Sequence, residues 1–176
     1  ISGTGAMADF AYTTIDDTKE NVNERGIMTF PWADYQQKIT NVVVEDGIIR
    51  LGNQSFRKFT NLTTLTVNSD DLTEIGTALC MNDSALETVD LTACTNLQSI
   101  ESGAFTHMSN DAEITIKMTA MVPGLWKPEN NYSYGVVTFE YTDQSNLITA
   151  DNWKAVILSD GDTPTCELIE YTGSAD

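Results

Sequence analysis

Between Ile39 and Ala120 the apolar residues return at a nearly constant spacing. Val42, Leu65, Val89 and Ile114 are separated by 23, 24 and 25 residues; Leu51, Ile75 and Ile100, and likewise Phe56, Cys80 and Phe105, are separated by 24 and 25. Three registers that drift together by single residues mark a repeated structural unit. Written in phase, the units are ITNVVVEDGIIRLGNQSFRKFTN from Ile39, LTTLTVNSDDLTEIGTALCMNDSA from Leu62, LETVDLTACTNLQSIESGAFTHMSN from Leu86 and a shortened DAEITIKMTA from Asp111. Each full unit opens with apolar residues at positions one, four and six: Ile39/Val42/Val44, Leu62/Leu65/Val67 and Leu86/Val89/Leu91, with Ile114/Ile116 completing the last. Alternation with a period of two, in β-branched residues, predicts a short strand with one face buried. A polar turn and a second apolar element follow each strand. One such coil cannot bury its own edges, so the coils must stack with their strands in parallel, as a solenoid.

If the alternating apolar residues face inward, the intervening ones face solvent. The repeat alignment therefore predicts three exposed rows: Asn41, Thr64, Thr88 and Glu113; Val43, Thr66, Asp90 and Thr115; and Glu45, Asn68, Thr92 and Lys117. Such a face is the surface solenoids commonly use for binding. It is also what a plain sheet needs, because stacked threonines stabilise neighbouring strands by a few tenths of a kcal/mol, roughly, per pair. The face has no aromatic ring to stack on a sugar, so a protein partner of polar or basic character suits it better than a glycan. Phe56, Phe59, Phe105 and Met108 fall at repeat positions expected in the core.

The flanks read differently. Trp32, after Pro31 and before a short helix over Ala33–Lys38, is placed to cover the open edge of the first coil. Residues 9–29 show no sustained period and read as a long loop interrupting this cap. After Lys117 the period stops, and Pro123-Gly124 and Lys127-Pro128-Glu129-Asn130-Asn131 signal turns. Tyr134–Tyr141, Trp153–Leu158 and Cys166–Tyr171 then read as strands of an antiparallel β cap or small β domain. This region is rich in aromatic residues (Trp126, Tyr132, Tyr134, Phe139, Tyr141, Trp153 and Tyr171), which either pack the cap or form an exposed patch. The division is an N-terminal cap over 1–38, repeats of about 3.5 coils over 39–117, and a C-terminal β unit over 118–176.

Composition narrows the function. With 41% of its residues apolar, the chain carries enough hydrophobic material for a packed core. Its 9 basic and 26 acidic residues leave a formal charge of −17, spread along the chain as −3 in 1–38, −7 in 39–117 and −7 in 118–176. Affinity for phosphate backbones comes from Lys and Arg, so nucleic acid and anionic lipid surfaces are poor partners. No apolar run reaches the roughly 18–20 residues that span a bilayer. A monomer is expected, since like charge opposes association. The odd set of cysteines, Cys80, Cys94 and Cys166, fits neither a disulfide framework nor a CxxC clamp; small buried thiols are expected, with a Cys80–Cys94 bridge left open.

The reagents for catalysis are few. His107 is the single histidine, there is no GxSxG, HExxH or phosphate-binding loop with Lys, and Gly3-Thr4-Gly5 lacks the spacing of a dinucleotide turn. Carboxylates remain: Asp70-Asp71, Asp90 and Glu113 on or near one face, and Asp160-Gly161-Asp162, a fragment of calcium-loop character without the closing glutamate. No catalytic, cofactor-binding or metal-binding residue is assigned, and no cofactor is expected.

The pattern strand, then Gly47-Ile48-Ile49-Arg50-Leu51-Gly52, then Phe56, then an asparagine or serine before the next L-x-x-L-x-V, resembles the BspA-like class of leucine-rich repeats. Ile1–Met7 resembles the ISGTGxM strand that precedes the first repeat in such proteins, and Pro31-Trp32 resembles their PW pair; Ala78-Leu79-Cys80 departs from the usual Ala-Phe. The resemblance implies a mainly β fold with short helical turns: a short right-handed leucine-rich-repeat solenoid of 23- to 25-residue coils, with a parallel sheet and a cap at each end. It further implies a non-catalytic protein-interaction or adhesion module, extracellular, on a bacterial cell surface, with a host or matrix protein or another surface molecule as partner. The chain opens on Ile1 with its first methionine at Met7, so a signal or a lipid or wall anchor is expected outside these residues. The alternatives are a carbohydrate-active enzyme of the parallel β-helix kind using Asp and Glu, whose relatives have more coils and an acid- and aromatic-lined cleft, and a structural spacer.

Overall fold

The computed structural model describes residues 1–15, 26–28, 30–106, 113–125, 136–159 and 165–171. The repeats wind as a β-solenoid of about four turns with almost no helix, and each of the first three coils contributes one strand to each of two parallel sheets. The first sheet holds β4 (Asn41–Val44), β6 (Thr64–Val67), β8 (Thr88–Asp90), β10 (Glu113–Met118) and β11 (Val136–Tyr141), stacked in that order. The second holds β1 (Gly5–Ala6), β5 (Ile48–Leu51), β7 (Glu74–Ile75) and β9 (Ser99–Ile100). A third side of each coil forms no strand but still bonds from coil to coil, as in Phe56 N–H to Leu79 O at 3.0 Å and Cys80 N–H to Ala104 O at 2.7 Å.

The core follows the apolar registers. Val44, Leu65, Val89 and Ile116 from the first sheet, Leu51, Ile75 and Ile100 from the second, and Phe56, Phe59, Cys80 and Phe105 from the third side are all buried. Met108 and His107 lie outside the described residues. The turn after the second sheet needs left-handed backbone once per coil: Gln54, Ala78 and Gly103 have φ of 58°, 52° and 67°. Gly52 serves another purpose. A Cβ there would stand 2.0 Å from the carbonyl oxygen of Ala8, so only glycine lets the N-terminal segment lie against the first coil.

That segment is a partial coil of its own. Met7 and Phe10 donate main-chain bonds to Arg50 O (3.0 Å) and Asn53 O (2.9 Å), and Ile1 exchanges bonds with Val43 O and Glu45 N–H at the edge of β4. Arg50 ties three pieces together, to Asp9 and Glu74 at 2.6 Å each and to Asn53 at 3.1 Å. The expected helix after Trp32 is a 3₁₀ turn, Ala33–Tyr35, because the chain must swing into β4 within a few residues. The 9–29 segment contains more order than the expected loop: β2 (Tyr12–Ile15) pairs antiparallel with β3 (Gly26–Met28).

Two expectations at the other end are corrected. The period does not stop at Lys117: β11 pairs in parallel with β10 along all six residues, so Val136–Tyr141 is a further rung of the solenoid sheet and not a strand of the antiparallel unit. The antiparallel unit is β12 (Leu147–Ala150), β13 (Trp153–Ser159) and β14 (Thr165–Tyr171). It joins the last coil through Asn146, whose side chain donates to Met121 O at 3.1 Å and whose carbonyl accepts Ile157 N–H at 2.8 Å. Ala155 and Val156 are buried. Cys80, Cys94 and Cys166 are all free thiols; the first two are buried, as small apolar side chains should be, whereas Cys166 is exposed on β14.

Candidate binding face

The outward side of the first sheet carries the residues of the predicted rows. Register between β4, β6 and β8 is as the repeat implies: Asn41, Thr64 and Thr88 stand side by side, as do Val43, Thr66 and Asp90. The next strand is displaced by two residues from the predicted alignment. Thr88 faces Thr115 and Asp90 faces Lys117, so the rows continue through Thr115 and Lys117, with Glu113 off their end. A shift of two leaves every side chain on its own face, and β10 buries Ile114, Ile116 and Met118 alike; its alternating pattern therefore fits either register. The main chain distinguishes them, with Leu91 N–H donating to Lys117 O at 2.8 Å.

β11 adds Thr138 next to Thr115 and Glu140 next to Lys117. These two residues were missed because the fifth rung was missed, yet a signal was present: Val137-Thr138-Phe139-Glu140-Tyr141 repeats the alternation of Ile114-Thr115-Ile116-Lys117-Met118 at an interval of 23. The face thus carries a continuous threonine row, Thr64, Thr88, Thr115 and Thr138, beside a row in which Lys117 lies between Asp90 and Glu140 on adjacent strands. Glu45 and Asn68 are exposed at the ends of their strands, and Thr92 continues in hydrogen bonds from Thr119 to its carbonyl and from Thr142 to that of Thr119. Asp90 is held in place by accepting Thr92 N–H (3.0 Å) and hydroxyl (2.7 Å). Val43, 42% exposed, is the one large apolar side chain on the rows.

Carboxylates group otherwise than expected. Asp70 and Asp71, in the turn between β6 and β7, converge with Asp46 from the turn between β4 and β5, with oxygens within 4.8 Å of one another, while Asp90 ends β8 and Glu113 begins β10. All three of the converging acids are exposed. Asp83 is the opposite case, fully buried, with one carboxylate oxygen accepting Phe59 N–H at 2.8 Å and the other without a partner. Burial pushes its carboxyl well above the usual range, and burial beside Asp83 pushes the Cys80 thiol up as well.

At the C-terminal end of the sheet, the rings of Phe139 and Tyr141 stack at 6.1 Å and 9°, and burial raises the Tyr141 hydroxyl to about 12. Next to them lies a cleft of about 890 Å³, bounded on one side by β11 and Lys117 and on the other by Leu147, Thr149, Lys154 and Ile169 of the antiparallel sheet. Of the other aromatic residues read from the sequence, Trp153 is 45% exposed, and Trp126, Tyr132 and Tyr134 lie outside the described residues.

Comparison with known proteins agrees with this geometry. No curated protein and no solved structure matches the chain. The model of the BspA type leucine rich repeat region matches residues 33–124 in six copies, which spans the 3₁₀ turn, the coils from β4 to β10 and the start of the connection to β11. Leucine-rich repeats of this type are generally non-catalytic and generally mediate protein binding, and BspA-type proteins are typically bacterial surface or secreted proteins. None of the described helices is long and apolar enough to cross a membrane. With more than half its length matched by that model and its coils stacked as the model requires, the chain belongs to the BspA-type leucine-rich repeat family.

Proposed function

We propose that the chain is a non-catalytic extracellular adhesion module of a bacterial surface protein, which engages a host or matrix protein through the outward face of its five-stranded sheet. The supporting observation is the in-register array of Asn41, Thr64, Thr88 and Thr115 beside Val43, Thr66, Asp90 and Lys117, a mostly polar surface held by parallel pairing and continuous across four coils. Glu45, Asn68, Thr92 and Glu113 border it. Its side chains are short and mostly half-buried, so little conformational entropy is lost when a partner covers them. The surplus of negative charge directs it toward polar or basic partners and away from nucleic acid. The module acts as a monomer and needs no cofactor.

The test is capture of matrix or host-cell proteins by the immobilised chain, compared with Thr66→Arg and Asp90→Arg. Loss of the captured partner in both variants, with unchanged melting, is the expected outcome. Hydrolysis or lyase activity on a polysaccharide panel, abolished by Asp90→Asn, would favour an enzyme; absence of any captured protein would favour a spacer.

A further inference from the structure

The N-terminal segment winds as a partial coil whose share of the first sheet is a single residue. β1 lies against β5, and Phe10 N–H bonds to Asn53 O, but toward β4 only Ile1 is paired. Its amino group donates to Val43 O at 2.6 Å and its carbonyl accepts Glu45 N–H at 2.8 Å, the two bonds by which parallel strands set one residue beside another, here Ile1 beside Val44. The opposite side of β4 is taken by β6, with Thr63 N–H and Asn68 N–H donating to Thr40 O and Val44 O at 2.8 Å each. Main-chain groups alternate in direction along a strand, so Asn41, Val43 and Glu45 are directed to the side where Ile1 lies. β4 is the terminal strand in the order of its sheet, and Val43 N–H and Asn41 C=O, the next groups along that edge from Ile1, meet no main-chain partner among the described residues.

Beside the same edge is a pocket of about 200 Å³. It is walled by Trp32, Ile39, Val42, Phe56 and Phe59 and reaches Ile1, and Asn41 is the one polar residue of its described lining. Trp32 and Ile39 are only half-buried, so the end of the solenoid is incompletely covered there. Val42 and Val44 both face inward, and in a parallel strand the residue beside Val42 lies on the same face as Ile1, which stands beside Val44. An apolar void of about 150 Å³ accepts a benzene-sized group, so this pocket has room for a Leu or Ile side chain.

We propose that the edge of β4 is the docking site of one further parallel strand, formed by a polypeptide segment joined to the amino end of Ile1. The second residue ahead of Ile1 stands beside Val42, donates its N–H to Asn41 O, accepts Val43 N–H at its carbonyl and places an apolar side chain in the pocket. The residues one and three ahead of Ile1 face outward beside Val43 and Asn41, and lengthen the outward rows by one rung. A joined segment is favoured over a strand from a partner because Ile1 already fixes direction and register, and because a separate strand in that register would have to end against the amino group of Ile1. Joining also makes the pairing intramolecular, at a high effective concentration. Such a segment is held in the sheet and is not a loose tether. The inference is independent of what the outward face binds.

The experiment compares the full chain with chains that carry Gly-Ser-X-Ser ahead of Ile1, X being Leu, Ser or Pro. Leu is expected to raise Tm by about 4 °C over Ser, the gain from burying one aliphatic side chain in a chain of this size, and to slow hydrogen exchange of the Val43 amide roughly tenfold. Pro has no N–H for Asn41 O and should show neither effect. Leu moved next to Ile1, as Gly-Ser-Ser-Leu, faces outward and should behave as Ser does. Equal Tm for Leu and Ser with an unprotected Val43 amide, or equal Tm for the two placements of Leu, would overturn the proposal. Protection of Val43 by the free blocked peptide acetyl-Gly-Ser-Leu-Ser-amide, as strong as that by the joined segment, would overturn it too and assign the edge to a partner's strand.

Discussion

Asp83 shows what a single residue contributes when it breaks the repeat. It lies 24 positions after Phe59, where the first coil has a buried ring, and it caps that residue's N–H at 2.8 Å. The bond is the shorter of two that this donor makes, the other running to Phe56 O at 3.3 Å, but a carboxylate in that position has lost its water. Desolvation therefore raises its folded-state pKa above the roughly 3.9 of an unfolded aspartate. The sign follows from linkage: the folded state holds the proton more tightly, so the associated stability is fully present below about pH 3.9 and is lost as pH rises toward the folded value. Asp83→Asn keeps an oxygen for Phe59 and cannot ionise. Denaturant unfolding should show the variant gaining on the native chain as pH rises from about 4 to 7, with no further change below 4. A difference independent of pH would mean that Asp83 is not titrating in the core.

At the scale of elements, the ends of the solenoid require as much structure as its middle. Trp32 is in contact with Phe10, Phe30 and Phe56 at centroid distances of 5.6, 5.8 and 6.1 Å, and its indole N–H donates to Ser55 O at 3.0 Å. It thus lies against the first coil, at the edge where Pro31-Trp32 led us to expect a cap. Trp32→Ala should lower stability by about 3 kcal/mol, read as a shift in urea midpoint, because it removes a ring and leaves a cavity open to the core. An unchanged midpoint would show that the cap is dispensable. Legibility differed between elements for a physical reason. β4, β6 and β8 were readable because their inward residues recur at 23 and 24; β10 was readable as a strand but not in register, since three alternating apolar residues fit two alignments equally. β11 was readable as a strand, and its partner was not, since alternation is common to parallel and antiparallel strands.

For the whole molecule, the formal charge of −17 acts against compactness. The ion pairs of Arg50 with Asp9 and Glu74 are both partly exposed, and such pairs contribute little that salt can take away. Raising NaCl from low concentration to about 0.15 M shortens the screening length to about 8 Å. The expected result is a stabilisation of about 1 kcal/mol, or about 2–4 °C in Tm, measured by thermal melting at pH 7. The gain should shrink near the sequence pI of about 4.1, where the net charge vanishes. A Tm that falls with salt would show that paired charges outweigh the repulsion.

The sequence by itself determined that the chain stacks: unit length, inward residues, parallel pairing and the polar character of the outward face all follow from a local pattern repeated at 23 to 25 residues. Local pattern is enough there because each coil's partners are its neighbours in the repeat. Where the chain leaves the period, partners are chosen by three-dimensional fit. Only the tertiary structure decided that Thr115 and not Glu113 stands beside Thr88, that β11 extends the sheet, and that Lys117 and Lys154, 37 residues apart in sequence, face one cleft.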